Sequence, residues 1–457
     1  YQIDFHKPLH IHFIGIGGIS MSGLAEILLE EKLPISGSDA KASPLTRTLE
    51  ERGAVIYYGQ RAANIKDDVD VVVYTAAIHP DNPEFACAKE KGLPMLTRAE
   101  LLGQIMRNYD TPIAISGTHG KTTTTSMVSH ILLEGDCDPT ISVGGILPAI
   151  HGNIRVGNSE TFVTEACEYT NSFLSFFPKI SVILNMDADH LDFFKDIDDI
   201  RHSFRKFAEL LPSDGTLIIN ADTPEYETIT RGLPCHVLTY GLEHEADYTA
   251  ADITWDKYGI LPFRSLPGQK IGSYYLRVPG IHNVSNALAA IAVGRLLDLP
   301  DEVIVKGLGS FTGTDRRFQY KGEIGGVPSL MTTHIIQQKS KLPFTQRRII
   351  RIRKYGVYSS LIPTHVPRLF FLNLQKALTL ADHVVLADIF AARETDDLGI
   401  SSQDLQKQIQ ELGTPCEYFP TFDEIESFLL KKVVHMVIVD NYGAGDVVNI
   451  GEHLLGK

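Results

Sequence analysis

The stretch that most constrains how this chain can fold is residues 116–125, Ser-Gly-Thr-His-Gly-Lys-Thr-Thr-Thr-Thr. The apolar residues 112–115 before it predict a strand, and residues 126–133 after it predict a helix. A glycine-rich turn between a strand and a helix directs backbone N–H groups toward a phosphate. Lys121 can then reach the β- and γ-phosphates, and the Thr122 hydroxyl can bind Mg²⁺. The stretch therefore predicts an ATP site in an α/β fold, although Ile115 stands where the usual motif has its first glycine.

The charge and the cysteines of the chain indicate its compartment and exclude two classes of partner. The 457 residues carry 42 lysines and arginines against 56 aspartates and glutamates, a formal net charge of −14 at pH 7. Surfaces that bind nucleic acid or anionic membranes are usually basic, so we expect neither partner. The five cysteines share no C-x-x-C spacing, and neither a signal peptide nor a membrane span is evident. We therefore expect a cytoplasmic enzyme with several domains.

Three α/β blocks follow one another along the chain, and each predicts a domain. We place them at residues 1–109, 110–311 and 312–457. Alternating strands and helices predict Rossmann-like first and last domains around a central P-loop domain. The strands that support this division lie at residues 9–14, 36–39, 69–74, 161–164, 181–185, 215–220 and 381–387, and the helices at residues 21–31 and 286–297.

A second glycine-rich turn, Gly15-Ile-Gly-Gly18, lies between the first strand and the first helix. It resembles a dinucleotide-binding fingerprint, with Asp39 in the place of an acid that binds a ribose. The strict pattern fails because Ser20 occupies the third glycine position. The turn therefore predicts a pyrophosphate at a helix N-terminus. A nicotinamide-dependent oxidoreductase and a purely structural turn are the alternatives.

Acidic residues and a histidine follow two strands of the second block. Glu168 comes shortly after the strand at 161–164, and His190 follows the strand at 181–185. The carboxyl ends of parallel strands meet at one edge of a sheet, where ligands bind. We therefore expect Glu168 and His190, together with Thr122, to bind Mg²⁺ near the γ-phosphate. A purely structural role for His190 is the alternative.

Two further groups are candidates for contact with the nucleotide. His282, Asn283 and Asn286 open a helix, where asparagine also serves as a simple cap. Arg316 and Arg317 begin the third block, from which a guanidinium can reach a transferred phosphate. An arginine pair is otherwise commonly part of a solvated surface.

Taken together, these motifs resemble those of the Mur ligase family, in the family's order and over nearly the whole chain. The resemblance implies a cytoplasmic enzyme of peptidoglycan synthesis that requires ATP and Mg²⁺. The carboxylate of UDP-N-acetylmuramate would attack the γ-phosphate, and the amine of L-alanine would displace phosphate from the acyl phosphate. The stretches that carry the resemblance are residues 15–23, 36–39, 75–78, 81–84, 117–123, 165–168, 189–190, 282–286, 316–317 and 443–446.

The resemblance also implies a role for each motif residue. The catalytic group would be Lys121, Glu168, His190 and Arg317, and the Mg²⁺ ligands would be Thr122, Glu168 and His190. The residues implied to bind ATP are Gly117, Thr118, His119, Gly120, Lys121, Thr122, Thr123, His282, Asn283 and Asn286. Those implied to bind the UDP-sugar are Gly15, Gly17, Gly18, Ser38, Asp39 and Thr75.

The third block departs from the family pattern. No aspartate or glutamate occurs from residue 324 to residue 381. The family has a strand here, followed by Asp-Asp-Tyr-Ala-His-His-Pro-Thr-Glu, and codons for residues 329–340 can encode that motif when they are read one nucleotide earlier. We therefore hypothesise that residues 328–375 are a frameshifted translation, which should cost the third domain a strand and a helix. A divergent insert is the alternative.

Two other functions stay open at this point. A murein-tripeptide ligase would use the same UDP-sugar and the same MgATP motifs, so the amino-acid pocket of the third block would decide between the two ligases. If residues 328–375 are genuine, the chain is instead a catalytically defective homologue that binds nucleotides.

Overall fold

The computed structural model describes residues 1–75, 77–191, 193–254, 261–267, 272–278, 280–314, 319–324, 327–332, 354–358, 378–379, 383–388, 401–432 and 438–442. The chain divides into two compact units. The first comprises Tyr1–Arg277 and Asn283–Phe311, and the second comprises Val278–His282 and Thr312–Lys457. The first unit holds two sheets and the second holds one, each of them mainly parallel, so the predicted α/β fold class is confirmed. A boundary at residue 109 inside the first unit stays a prediction.

The first sheet consists of five parallel strands. They are β1 (Ile11–Ile14), β2 (Ile35–Asp39), β3 (Val55–Tyr58), β4 (Val71–Tyr74) and β5 (Met95–Thr97). The helices of this part are α1 (Ile19–Glu30), α2 (Pro44–Glu51), α3 (Pro83–Glu90) and α4 (Arg98–Met106). The strand order is β3-β2-β1-β4-β5, so the direction of winding reverses between β1 and β4.

The strand predicted at residues 69–74 is the fourth strand of the chain, because the sequence analysis missed β3. Strand β3 lies at the edge of the sheet, and Val55 and Tyr58 are exposed there. Strand β3 is a short apolar run, Val-Ile-Tyr-Tyr, but its four residues are exposed or only partly buried, unlike those of the central strands.

The second sheet has ten strands around the predicted phosphate loop. They are β6 (Thr111–Ser116), β7 (Thr140–Leu147), β8 (Gly152–Arg155), β9 (Thr161–Ala166), β10 (Ile180–Ile183), β11 (Thr216–Asn220), β12 (His236–Gly241), β13 (Tyr248–Ala251), β14 (Leu261–Pro267) and β15 (Gly272–Leu276). Their order is β15-β14-β13-β12-β11-β10-β6-β9-β7-β8. The strands from β13 to β7 in this order are parallel, and β8, β14 and β15 are antiparallel additions at the edges.

The helices that accompany the second sheet are α5 (Lys121–Glu134), α6 (Ile197–Ala208), α7 (Glu227–Thr230), α8 (Ile281–Leu296) and α9 (Asp301–Ser310). Helix α8 begins five residues before the predicted start at residue 286, so His282 and Asn283 belong to its first turn. No helix in the described part of the chain is both long and apolar enough to cross a membrane.

One hydrophobic core connects the two sheets of the first unit. The buried cluster includes Phe13 and Leu24 from the first sheet's layers and Ala114 and Phe162 from the second sheet. Burial of apolar side chains of this size contributes about 1.5–3 kcal/mol each. The two sheets of this unit are therefore held together by packing as well as by the chain connection.

The second unit contains a six-stranded sheet. Its strands are β16 (Gln319–Ile324), β17 (Val327–Thr332), β18 (Lys354–Tyr358), β19 (His383–Leu386), β20 (Cys416–Tyr418) and β21 (Ile438–Tyr442), in the order β16-β17-β21-β18-β19-β20. Only the β16–β17 pair is antiparallel among these described pairs. The described helices are α10 (Ser402–Glu411) and α11 (Phe422–Lys432). Strand β19 confirms the parallel strand predicted at 381–387.

The structure describes strands within residues 328–375, where the frameshift hypothesis predicts the loss of a strand and a helix. Most of β17 and all of β18 fall in this segment, and both pair in parallel with β21. Ladder hydrogen bonds use backbone groups, so a strand can form with side chains other than those of the family pattern. The remainder of the segment lies outside the described residues, and the frameshift hypothesis stays a prediction.

Candidate active site

The carboxyl ends of three neighbouring strands bring the predicted nucleotide site together. Strand β6 lies between β9 and β10, and all three run parallel. The phosphate loop follows β6, Glu168 follows β9, and residues 185–190 follow β10. These groups therefore share one edge of the sheet, which is where open α/β sheets bind their ligands.

Two glycines shape the phosphate loop. Gly117 has a φ of 141° and Gly120 a φ of 88°, a region that glycine adopts readily and other residues rarely do. A Cβ at Gly117 would lie 2.9 Å from the Leu184 Cβ, and a Cβ at Gly120 would lie 2.7 Å from the Asn286 Oδ1. The glycines are therefore required both for the backbone conformation and for the close approach of neighbouring chain segments.

Helix α5 begins at Lys121, immediately after Gly120. Lys121 and the buried Thr122 thus stand in its first turn, where unpaired N–H groups and the positive helix end favour a phosphate. Ile115, which replaces the usual first glycine, is a fully buried residue of β6. The turn therefore forms within residues 117–120 and does not need a glycine at position 115.

Asn185, to which the sequence analysis gave no role, clamps the phosphate loop from the end of β10. Its side-chain Oδ1 accepts a hydrogen bond from the His119 N–H at 2.7 Å, and its Nδ2 donates to the His119 carbonyl oxygen at 2.9 Å. The Thr118 N–H donates to the Asn185 carbonyl oxygen at 3.1 Å, and the Asp187 N–H donates to the Thr118 Oγ1 at 2.9 Å. Both the N–H and the carbonyl group of His119 are thus hydrogen-bonded to Asn185, which holds the loop against the end of β10.

Lys121, Glu168 and His190 lie together, as the sequence predicts. The Lys121 Nζ donates to the Glu168 Oε2 at 2.7 Å and to the Gly117 carbonyl oxygen at 2.6 Å. The Glu168 side chain is only 2% exposed. Its other oxygen, Oε1, is buried without a hydrogen-bond partner among the described residues and lies 3.8 Å from the His190 Nε2. The cluster therefore presents a buried acceptor that the protein leaves unused.

The backbone around this cluster adopts unusual conformations. His190 has a φ of 54°, and its ring centroid lies 4.6 Å from that of Tyr169. Thr170 and Asn171 have φ values of 54° and 57°. Residues other than glycine are uncommon in this left-handed region and concentrate at functional sites. The two loops that carry Glu168 and His190 are therefore shaped at a cost in backbone energy.

The structure places some of the other residues that the sequence predicts to bind the nucleotide. Asn286 lies against Gly120, and its Nδ2 donates to the Asn283 Oδ1 at 3.3 Å. Thr123 is half-buried in α5. Arg316 and Arg317 lie outside the described residues. Among the residues that are described, no group of three or more His, Cys, Asp or Glu side chains is arranged to hold a metal ion.

The second predicted site lies where the strand order of the first sheet reverses. Gly15, with a φ of 85°, follows β1, and Thr75 follows β4. A Cβ at Gly15 would lie 3.8 Å from the Thr75 Cγ2, so the two strand ends lie close together. Helix α1 begins immediately after Gly18. A crevice at such a reversal, next to a helix N-terminus, is a typical position for a nucleotide pyrophosphate.

Asp39 is engaged by the glycine turn itself. Its Oδ2 accepts a hydrogen bond from the Gly17 N–H at 2.8 Å, and its Oδ1 accepts one from the Ala40 N–H at 2.7 Å. A Cβ at Gly17 would lie 2.8 Å from the same Oδ2. The carboxylate therefore supports the turn, which disfavours the ribose contact of the nicotinamide alternative.

Ser38 belongs to a buried polar network beneath the glycine turn. Its hydroxyl donates to the Glu84 Oε2 at 2.5 Å, and the Asn64 Nδ2 donates to the Glu84 Oε1 at 2.5 Å. Burial raises the pKa of Glu84, but interactions with His12, Ser38 and Asn64 outweigh it and leave that pKa below its ordinary value. The Ser38 carbonyl oxygen accepts a hydrogen bond from the Gly15 N–H at 2.9 Å. The Ser38 side chain therefore stabilises the protein beneath the turn.

The similarity of this chain to known proteins extends over both candidate sites. Residues 10–110 match the family model described as Mur ligase family, catalytic domain, and residues 115–294 match the Mur ligase middle domain. UDP-N-acetylmuramate–L-alanine ligases from Agathobacter rectalis and Lachnospira eligens are 54% and 53% identical to the chain. Each match covers 100% of this chain and 100% of the relative. A crystal structure of a UDP-N-acetylmuramate–alanine ligase from Thermotoga maritima matches with a TM-score of 0.77 at 26% identity and covers 98% of each chain. The chain therefore belongs to the Mur ligase family.

Proposed function

We propose that this Mur ligase joins L-alanine to the carboxylate of UDP-N-acetylmuramate in an ATP-dependent reaction, a step of peptidoglycan precursor synthesis. The observation that carries the proposal is the contact between Lys121 and Glu168 at the mouth of the phosphate loop, beside His190. The similarity in sequence to alanine-adding ligases over the whole chain favours L-alanine over the tripeptide as the second substrate.

The reaction has two chemical steps. A carboxylate oxygen of the sugar attacks the γ-phosphorus, a P–O bond forms, the bond from that phosphorus to the bridging oxygen breaks, and ADP leaves. The alanine nitrogen then attacks the carbonyl carbon of the acyl phosphate, a C–N bond forms, the C–O bond to phosphate breaks, and the amine loses a proton. Both steps bring anions together, so the protein must supply positive charge and exclude water.

Lys121 is the residue that we expect to bind the β- and γ-phosphates. Its ammonium group has three donors, and the structure gives it three acceptors: Glu168 at 2.7 Å, Gly117 at 2.6 Å and the Thr118 carbonyl oxygen at 3.4 Å. The contact with Thr118 is the longest of the three. A phosphate oxygen would replace this contact first, because a charge-assisted hydrogen bond is stronger than one to a neutral carbonyl group.

The residues of the site fit Mg²⁺. The buried Glu168 Oε1 has no hydrogen bond within the described structure, and a hard cation with oxygen ligands would satisfy it. Mg²⁺ usually keeps several waters and takes only one or two carboxylates beside substrate phosphates, so a cluster of three His, Cys, Asp or Glu side chains is not needed. We propose that Thr122, Glu168 and His190 hold the ion, which would neutralise charge on the γ-phosphate when bound.

The UDP-sugar is expected at the crevice between β1 and β4. Backbone N–H groups of the turn from Gly15 to Gly18 would bind its pyrophosphate at the start of α1, and Thr75 would line the opposite side. Ser38 and Asp39 would act through their support of the turn. The division into UDP-sugar, ATP and amino-acid domains at residues 109 and 311, and the role of Arg317, are parts of the same proposal.

Replacing Lys121 with alanine tests the proposal. We expect the variant to release phosphate about 100- to 1,000-fold more slowly than the wild type in the presence of MgATP, UDP-N-acetylmuramate and L-alanine, since one preorganised electrostatic donor is worth about that much. Binding of the UDP-sugar should be retained. Lys306→Ala is the matched control, because Lys306 is 71% exposed and lies on α9.

Three outcomes would contradict parts of the proposal. Unchanged phosphate release by the Lys121→Ala variant would exclude the assigned ATP site. Release with the tripeptide but not with L-alanine would favour the murein-tripeptide ligase. Binding of both nucleotides by the wild type without any release would indicate a defective homologue.

A further inference from the structure

We propose that Arg98 binds the carboxylate of the UDP-sugar while that carboxylate attacks the γ-phosphate. The inference rests on the function proposed above and adds a substrate-binding residue to it.

Arg98 is held in place between the two sheets of the first unit. It is the first residue of α4 and directly follows β5 at the carboxyl edge of the first sheet. Helix α4 packs closely against the second sheet's layer, since a Cβ at Gly103 would lie 1.9 Å from the Ser175 carbonyl oxygen. The Arg107 guanidinium lies 4.7 Å from the centroid of the Phe177 ring. The position of α4 relative to the second sheet is thus fixed.

A capping box fixes the start of the same helix. The Glu100 Oε2 accepts hydrogen bonds from the Thr97 N–H at 2.7 Å and from the Thr97 hydroxyl at 2.8 Å, and the Glu100 N–H donates back to the Thr97 Oγ1 at 3.3 Å. The acid closest in sequence to Arg98 is therefore used by the helix end. It is not paired with the guanidinium.

The Arg98 guanidinium is half-buried and has no hydrogen bond or ion pair with any other described residue. Burial lowers the pKa of Arg98, and the neighbouring Cys167 and Glu165 oppose this shift. The Glu165 Oε1 accepts a hydrogen bond from the Gly144 N–H at 2.5 Å, so this acid is directed toward β7. A guanidinium with five donors that is partly removed from water and makes no hydrogen bond is costly, and an anionic ligand would offset the cost.

The strand order indicates which anion meets Arg98. Neighbouring strands lie about 4.8 Å apart, and β5 is two strands from β1, so Arg98 begins roughly 10 Å from the glycine turn. The Glu165 carboxylate, whose charge acts on Arg98, lies near the end of β9, which adjoins β6 and its phosphate loop. Arg98 therefore starts from the sheet that carries the expected pyrophosphate site and lies near the strand next to the expected γ-phosphate site.

Between its pyrophosphate and the γ-phosphate of ATP, UDP-N-acetylmuramate must extend through its sugar and its lactyl carboxylate. That carboxylate has to reach the γ-phosphorus, and a guanidinium can hold a carboxylate through two parallel hydrogen bonds. Arg98 forms no covalent bond to the substrate in this scheme. Its charge offsets that of the carboxylate and then that of the acyl phosphate.

The test compares two ligands that differ in the carboxylate. UDP-N-acetylglucosamine has the same nucleotide, pyrophosphate and amino sugar as UDP-N-acetylmuramate but lacks the lactyl group. Binding of both is measured by calorimetry with Mg²⁺ and a non-hydrolysable ATP analogue. We expect the wild type to bind UDP-N-acetylmuramate about 10- to 100-fold more tightly, as a charged hydrogen-bonded pair allows, and Arg98→Ala to reduce this ratio to about 1–3. Arg98→Lys should give an intermediate ratio.

Arg52→Ala serves as the control, because Arg52 belongs to the same unit and pairs with Glu30 at 3.0 Å on the surface. An Arg98→Ala variant that keeps the wild-type ratio, or that weakens both ligands equally, would overturn the inference and leave Arg98 a pyrophosphate or structural residue. Failure of the proposed function is distinguishable, because in that case the wild type itself would release no phosphate with L-alanine. Arg98→Lys decides the question if the alanine variant does not fold.

Discussion

Replacing Asn185 with alanine would remove the side-chain clamp on the phosphate loop. The two hydrogen bonds between the Asn185 side chain and the His119 backbone, at 2.7 and 2.9 Å, would be lost. A neutral hydrogen bond contributes about 1 kcal/mol net, so the ordered loop would lose about 2 kcal/mol relative to disordered forms. Because 1.4 kcal/mol corresponds to a factor of ten, the competent fraction falls by up to about 30-fold. The apparent KM for ATP should rise by the same factor.

The measurement is phosphate release at saturating UDP-N-acetylmuramate and L-alanine with varied ATP. We expect the KM for ATP to rise about 10- to 30-fold and kcat to change by less than about threefold, since saturating ATP restores the ordered loop and Lys121 and Glu168 are unchanged. Asn220→Ala is the matched control. The Asn220 Nδ2 donates to the Leu184 carbonyl oxygen at 3.0 Å and makes no hydrogen bond to the loop among the described residues, so the KM for ATP should stay at its wild-type value.

A folded Asn185→Ala variant with an unchanged KM for ATP would refute this reasoning. The loop would then be held by the backbone hydrogen bond from Thr118 and by its own glycine conformations. A fall in kcat with no change in KM would also contradict it, because it would assign Asn185 to the chemical step.

Three further predictions concern packing, pH and the gene. Gly103→Ala places a Cβ 1.9 Å from the Ser175 carbonyl oxygen, so urea denaturation should show a loss of roughly 1–3 kcal/mol in unfolding free energy; an unchanged midpoint would contradict the described packing of α4. Burial lowers the pKa of His130 from 6.5 to about 4, so between these pH values the unfolded chain binds a proton that the folded protein does not bind. Stability should therefore fall as the pH drops from about 6.5 to 4, and thermal unfolding of His130→Gln should show a weaker dependence over that range. Sequencing the codons for residues 326–377 should reveal paired one-nucleotide shifts, whereas codons that stand as translated would support a genuine divergent insert.

The parts of the fold that the sequence predicted well are the buried parallel strands. Strands such as β6, β10 and β11 are mainly apolar and almost wholly buried because both faces of the sheet are covered. The edge strand β3 is also apolar, but it has only four residues and is at most partly buried. The strands β17 and β18 lie where the sequence departs from the family pattern, and backbone pairing with β21 forms them all the same.

The candidate site was predictable where backbone chemistry restricts the residue type. The phosphate-loop motif, with Gly117, Gly120 and Lys121, is a local pattern that few structures other than phosphate-binding loops require. Asn185 and Arg98 carry no such pattern, because their importance depends on which strands become neighbours. The same applies to Ser38, whose buried partner Glu84 is 46 positions away in the chain. Its engagement beneath the turn therefore could not be read from the local motif.

The central claim is that this chain forms an amide bond between UDP-N-acetylmuramate and L-alanine at the expense of ATP. Mass spectrometry of the reaction products, combined with phosphate determination, tests it most directly. We predict a product with the mass of the two substrates less one water, formed together with one phosphate and one ADP per molecule, and absent without ATP or in the Lys121→Ala variant. No such product from folded wild-type protein with MgATP and both substrates would contradict the account.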